Sequence, residues 1–164
     1  MSASSRILPR LACCAAAALL WAGATTALSA EGRSWVADSN AEATWLIYGT
    51  PESDDILLSL TCERGANTLT VWFAVPPASG KGPQTLPMEL SSAGGRVQLT
   101  GKTSRSEMDD LFSLEAKTAF TPEVEKLLTG GKTLSVKVEG GAQDMPIDET
   151  AQKGIADIVE SCRK

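Results

Sequence analysis

From residue 44 onward, apolar side chains recur at every second position, in short runs broken by Gly, Pro and Asn. A period of two is the pleat of a β-strand, and it sends alternate side chains to opposite faces. Thr44, Leu46 and Tyr48 alternate with Trp45, Ile47 and Gly49 before Gly49-Thr50-Pro51 ends the run. Ile56, Leu58, Leu60 and Cys62 then share one face, with Leu57, Ser59, Thr61 and Glu63 on the other, so Cys62 belongs to the core side. Arg64-Gly65-Ala66-Asn67 reads as a hairpin turn into Leu69, Val71, Phe73 and Val75, with Thr68, Thr70 and Trp72 opposite and Pro76-Pro77 as the stop. This pattern is that of antiparallel sheet with one wetted face. Trp72 falls out of phase with the core, so it is either exposed or faces a second layer.

The same pattern resumes after a Pro-, Gly-, Ser- and Lys-rich stretch at 76–84, which makes that stretch a loop and not a domain boundary. Leu86, Met88 and Leu90 form a strand that Pro87 confines to an edge or a bulge. Gly94-Gly95 turns the chain into Val97 and Leu99; Phe112, Leu114 and Ala116 mark one further strand, and Leu134, Val136 and Val138 another. Two helices interrupt the strands. Thr121-Pro122-Glu123 supplies an N-cap, a first-turn proline and a first-turn acid, and Gly130 ends that helix, with Val124, Leu127 and Leu128 on its buried side. The second helix starts at Asp148, and Ala151, Ile155, Ile158, Val159 and Cys162 make its apolar stripe. Gly154 weakens it by about 1 kcal/mol relative to alanine. The expected fold is mainly β: an antiparallel sandwich or a curled sheet, with a short helix near 121–129 and a C-terminal helix near 148–162.

Residues 1–30 read as a signal peptide ahead of a single domain at 31–164. Arg6 and Arg10 form a positive start, Leu11 to Ala24 is apolar, and small residues follow, with cleavage after Ala27 or Ala30. The alternative is an uncleaved anchor, since Leu11 to Ala30 is about long enough to cross a bilayer. Thr25, Thr26 and Ser29 favour cleavage. Cys13 and Cys14 lie at the start of the apolar run, where a lipid-modified cysteine does not sit.

Removal of the leader leaves two cysteines, Cys62 and Cys162. In an oxidising compartment two cysteines are most simply one disulfide, with two buried free thiols as the alternative. One lies on the inner face of a strand and the other on the inner stripe of a helix, which suits a bridge.

Chemistry is constrained mainly by what is missing. The chain has no histidine, which removes Ser-His-Asp and Cys-His nucleophile systems, histidine-held metals and the usual base near neutral pH. Bridged cysteines remove thiol catalysis, and no cofactor motif is present. Gly130-Gly131-Lys132-Thr133 has Lys126 where a phosphate loop needs glycine, and it precedes a strand. Glu52, Asp54 and Asp55 cluster beside Pro51 without the alternating spacing of a calcium loop, and read as a solvated turn. Without Arg6 and Arg10 the chain holds 13 basic and 20 acidic residues, a net charge of −7 that disfavours nucleic acid and anionic membranes. No segment beyond the leader is apolar for long enough to span a membrane. Catalytic, metal and cofactor-binding residues are therefore expected to be none. Tyr48 and Trp72 are the first candidates for a contact surface.

Three segments, Tyr48-Gly49-Thr50-Pro51-Glu52, Leu58-Ser59-Leu60-Thr61-Cys62 and Ile158-Val159-Glu160-Ser161-Cys162, together resemble small uncharacterised secreted proteins of bacteria. That resemblance implies a periplasmic location and no particular activity. Cys62-Glu63-Arg64-Gly65, Leu69-Thr70-Val71 and Ser91-Ser92-Ala93-Gly94-Gly95-Arg96 are similar to periplasmic inhibitors of C-type lysozyme. Those carry a Ser-rich loop that enters the lysozyme cleft. Carried over, Ser92 and Arg96 are the inserted residues, although Val97 stands where that family has tyrosine; read alone, the segment is a Gly-Gly hairpin.

The expectation is a non-catalytic periplasmic or secreted binding protein, or envelope-accessory protein, with an unidentified protein or envelope component as partner. An inhibitor of a lysozyme-like enzyme comes second and a hydrolase using carboxylates alone third. Intact-mass measurement of the exported product should show the loss of residues 1–27 or 1–30; a full-length product retained in the cytosol refutes export.

Overall fold

The structure is a computed structural model and describes residues 32–75, 83–105 and 112–163. The expected leader at 1–30 lies outside the described residues, as does most of the 76–84 loop. Nine strands follow one another as β1 (Ser34–Ser39), β2 (Ala43–Gly49), β3 (Ile56–Glu63), β4 (Thr68–Val75), β5 (Thr85–Ser92), β6 (Gly95–Arg105), β7 (Phe112–Ala119), β8 (Thr133–Val138) and β9 (Gly141–Pro146). The helices are α1 (Pro122–Thr129), between β7 and β8, and α2 (Glu149–Arg163) at the end. The strands form one antiparallel sheet in the order β1-β2-β3-β4-β7-β6-β5-β8-β9. Of the two expected architectures it is the curled sheet, a half-barrel.

The strand order explains both connections that are not hairpins. β5, β6 and β7 form a meander running back toward β4, so β7 pairs with β4 through Val71↔Ala116 and Phe73↔Leu114. The chain must then return from β7 to the far side of β5. Strands three places apart lie about 14 Å from each other, and the eight residues of α1 span about 12 Å. α1 makes that crossing against β5 and β6. Thr121 caps it, its hydroxyl accepting from the Val124 amide.

Register carries the expected phase into a single inner face. Tyr48 pairs with Leu58, Leu58 with Phe73 and Phe73 with Leu114, so these four side chains form one row. Leu46, Leu60, Val71 and Ala116 form the next. Both rows are buried and join one core with Val124, Leu127 and Leu128 of α1 and Ala151, Ile155 and Ile158 of α2. Trp45, Ile47 and Trp72 take the outer face and are half-buried. Among the described residues no second sheet covers them.

The curl brings the edge strands together at one point: the Trp35 indole N–H donates to the Pro146 carbonyl at 2.6 Å. α2 lies against β1, β2 and β3 and fills the inner face there. Its start is capped by Asp148, whose carboxylate accepts from the Ala151 amide at 2.8 Å. Gly154, expected only to weaken the helix, is its closest approach to the sheet. A Cβ there would lie 2.6 Å from Leu46 Cδ1 and 3.0 Å from Ala37 Cβ. Val159, placed on the stripe by spacing, is half-buried at its margin. Thr44 and Ser161 share a buried hydroxyl hydrogen bond of 2.6 Å between β2 and α2. At the next residue of α2, Cys162 forms the expected disulfide with Cys62, the register partner of Thr44, with Cα atoms 5.5 Å apart.

One expectation is corrected, and two strands are additional to those expected. β5 is not an edge strand, since it pairs with β6 on one side and β8 on the other. Pro87 is tolerated because β8 ends opposite Met88, one residue short of it. β1 and β9 carry no alternation strong enough to read, because Met145 is the one buried side chain of β9 and Trp35 the one buried side chain of β1.

The bridge closes a loop between residues 100 apart, for which chain entropy alone gives about 4.7 kcal/mol. The Cys62→Ala/Cys162→Ala double variant should lose about 2–5 kcal/mol in urea unfolding, and reductant should destabilise the native chain but not the variant.

Candidate functional site

The two ends of the half-barrel differ. At one end α1, the β5–β6 hairpin and the disulfide close the core. A Cβ on Gly94 would lie 1.9 Å from the Lys126 carbonyl oxygen, so only glycine lets that hairpin reach α1. At the other end lies a cavity of about 570 Å³, within the range of small-molecule sites. It gathers the start of β3, the ends of β4 and β6, the start of β7 and the β8–β9 turn.

Most of its wall is apolar: Leu57, Trp72, Phe73, Val75, Phe112 and Val138. Strand alternation supplies Phe73 and Val75. Leu57 arises from a bulge, because Tyr48 pairs with Leu58 and Gly49 with Ile56, leaving Leu57 without an opposite. Ser104 and Ser113 are register partners on β6 and β7 whose hydroxyls bond each other at 2.8 Å. Gly141 opens the β9 side, and a Cβ built there meets nothing within 4 Å.

Among the described residues four charged ones reach the cavity: Arg33, Asp54, Asp55 and Arg105. The Arg33 guanidinium forks onto both Asp55 oxygens at 3.1 Å, and the Thr50 hydroxyl donates to the same carboxylate at 2.8 Å. Those hydrogen bonds, Arg33 first, hold the Asp55 carboxyl below the ordinary aspartate value. The turn carrying it is tied by Thr50 N–H to the Asp55 carbonyl at 2.9 Å and by the Ser53 hydroxyl to the Thr50 carbonyl at 3.0 Å. Arg105 lies over the Phe112 ring, 5.9 Å from its centroid. Asp54 has no side-chain partner among the described residues.

The four residues singled out from sequence do not meet. Trp72 lines the cavity. Tyr48 is 2% exposed on the inner face, its ring 4.9 Å from that of Trp35, so it forms no contact surface with Trp72. Its row includes Phe73, and Trp72 projects the opposite way. Ser92 and Arg96 lie at the closed end: the Ser92 hydroxyl donates to the Leu127 carbonyl at 2.6 Å and accepts from the Gly94 amide at 2.9 Å. Arg96 is exposed and pairs with Glu89 at 3.5 Å. Sequence reasoning placed Asp54 in a solvated turn and Phe112 on a strand and did not single out Arg33 or Arg105; it did not join the four into a site, because they come from separate segments with no shared motif. Among the described residues no three acidic or thiol groups gather to hold a metal.

A lowered carboxyl pKa stabilises the fold above the ordinary aspartate value, near 4, and that contribution is lost as pH falls through the lowered one. Arg33→Ala should therefore move the Asp55 titration midpoint upward in carboxyl-carbon NMR. An unmoved midpoint refutes the assignment to Arg33. No protein-family model, curated protein or solved structure matches the chain.

Proposed function

We propose that the chain is an exported, non-catalytic binding protein, and that the cavity at the open end of the half-barrel holds a small, largely apolar ligand. The observation that carries this reading is the contrast between the two ends. One is closed by a helix, a hairpin and a disulfide, and among the described residues the other leaves a space of about 570 Å³ with a mostly apolar lining. A concave, mostly apolar space of that size gathered from strand ends and turns is the form small-molecule sites take.

The chemistry of the rim supports binding over turnover. Among the described residues Asp54 and Asp55 are the two carboxylates that line the cavity, and they are neighbours on one turn instead of facing each other across a substrate. The Asp55 carboxyl is also held low, the reverse of what a general acid needs. A lysozyme-inhibitor role ranks below this reading because the Ser92 hydroxyl is already engaged with α1 and unavailable for insertion into a cleft. Export rests on the basic and apolar leader and on a bridge of the kind found in oxidising compartments.

Titration with a neutral apolar fluorescent probe such as N-phenyl-1-naphthylamine should show saturable binding at one site. Gly141→Trp puts bulk into the cavity from a position where a Cβ meets no neighbour. It should weaken probe binding by about tenfold or more, a loss of ~1.4 kcal/mol, with the thermal melt unchanged. Non-saturable binding, or equal affinity in the variant, overturns the proposal.

A further inference from the structure

We infer that the cavity selects an amphiphile with a cationic amine: an apolar body against the strand wall and an ammonium group at the rim beside Asp54. This rests on the cavity being a ligand site and specifies what it takes. The argument is a charge inventory of the lining. Arg33 and Asp55 neutralise each other through three guanidinium contacts, Nη2 to both carboxylate oxygens at 3.1 Å and Nε to Oδ2 at 3.3 Å. Arg105 is engaged over the Phe112 ring. Asp54 is then the one lining charge with no side-chain partner among the described residues, and it is negative.

Two further features act in the same direction. The half-buried aromatic residues Trp72 and Phe112 line the cavity, and ring faces attract cations and not anions. The Arg105 guanidinium over Phe112 is an internal example of that contact. The surroundings are acidic as well. Glu52 belongs to the same turn as Asp54, and Glu139 stands between the lining residues Val138 and Gly140. The chain without its leader has a net charge of −7, a field that draws cations toward the mouth and repels fatty acids and phosphates.

The test compares three ligands with one tail, decylammonium, decanol and decanoate, each below its micelle concentration, by isothermal titration. An exposed ion pair is worth ~0.2–1 kcal/mol, so decylammonium should bind about two- to fivefold tighter than decanol, with decanoate weakest. Asp54→Asn should bring decylammonium down to the affinity of decanol. Asp157→Asn makes the same charge change on α2, away from this cavity, and should leave the preference in place. One molar salt should shrink the preference, as screening requires. The inference is overturned if decanoate binds as tightly as decylammonium, or if the preference survives Asp54→Asn. If decanol binds and no charge preference is seen, the cavity reading stands and the amine specificity falls. If none of the three binds, both fall.

Discussion

A sheet that curls only halfway exposes its apolar inner face unless something fills the trough, and here that filler is α2. Leu46, Leu58 and Leu60 are fully buried, and they are buried in part because Ile155, Ile158 and Cys162 press on them from the helix side. Burial of an aliphatic side chain contributes roughly 1.5–3 kcal/mol, so the helix and the first three strands stabilise each other or fail together. A terminal helix frays easily. The Cys62–Cys162 bridge and the Arg163–Glu125 ion pair fasten its last turn to β3 and to α1. The hydroxyl pair of Thr44 and Ser161 satisfies two polar groups that burial would otherwise penalise by about 1–3 kcal/mol each.

Fastening is one-sided, and the asymmetry makes the site. The disulfide, the Gly94–α1 contact and the Ser92 hydrogen bond to Leu127 all lie where β3, β5 and β7 end. At the opposite end of the same strands the inner face continues as Phe73, Val75 and Phe112, and among the described residues no helix packs there. The rim there is rigid for its own reasons: a self-bonded turn over residues 50–55, stapled by Arg33, and a pair of bonded serines on β6 and β7. A preorganised rim lowers the ordering cost of binding. Such a rim suits the ligand site proposed for this cavity.

Much of the architecture is legible in single residues. The alternation at 56–62 and 69–75 gives the strand phase, Thr121-Pro122 gives the start of α1, and the stripe from Ala151 to Cys162 orients α2; all three stand in the structure. β1 and β9 escape because an edge strand buries so few side chains that its period disappears. Gly154 shows the limit of propensity: cost per residue can be read from a sequence, but closeness to Leu46 cannot. Tyr48 is the same lesson at the level of function. Its neighbourhood with Trp72 looks plausible along the chain and is undone by the register, which sends the two rings to opposite faces.

Sequence alone determined the class of fold, the helix boundaries and the inward facing of Cys62 and Cys162, because each follows from local periodicity and local caps. Strand order was decided only in three dimensions, since β7 beside β4 and β8 beside β5 depend on contacts between distant segments. The site was decided there too. A cavity is a place where packing stops, and its walls come from strand ends and turns far apart in the chain. No local pattern encodes it; it exists because the staple and α1 fill one end of a curled sheet and leave the other open.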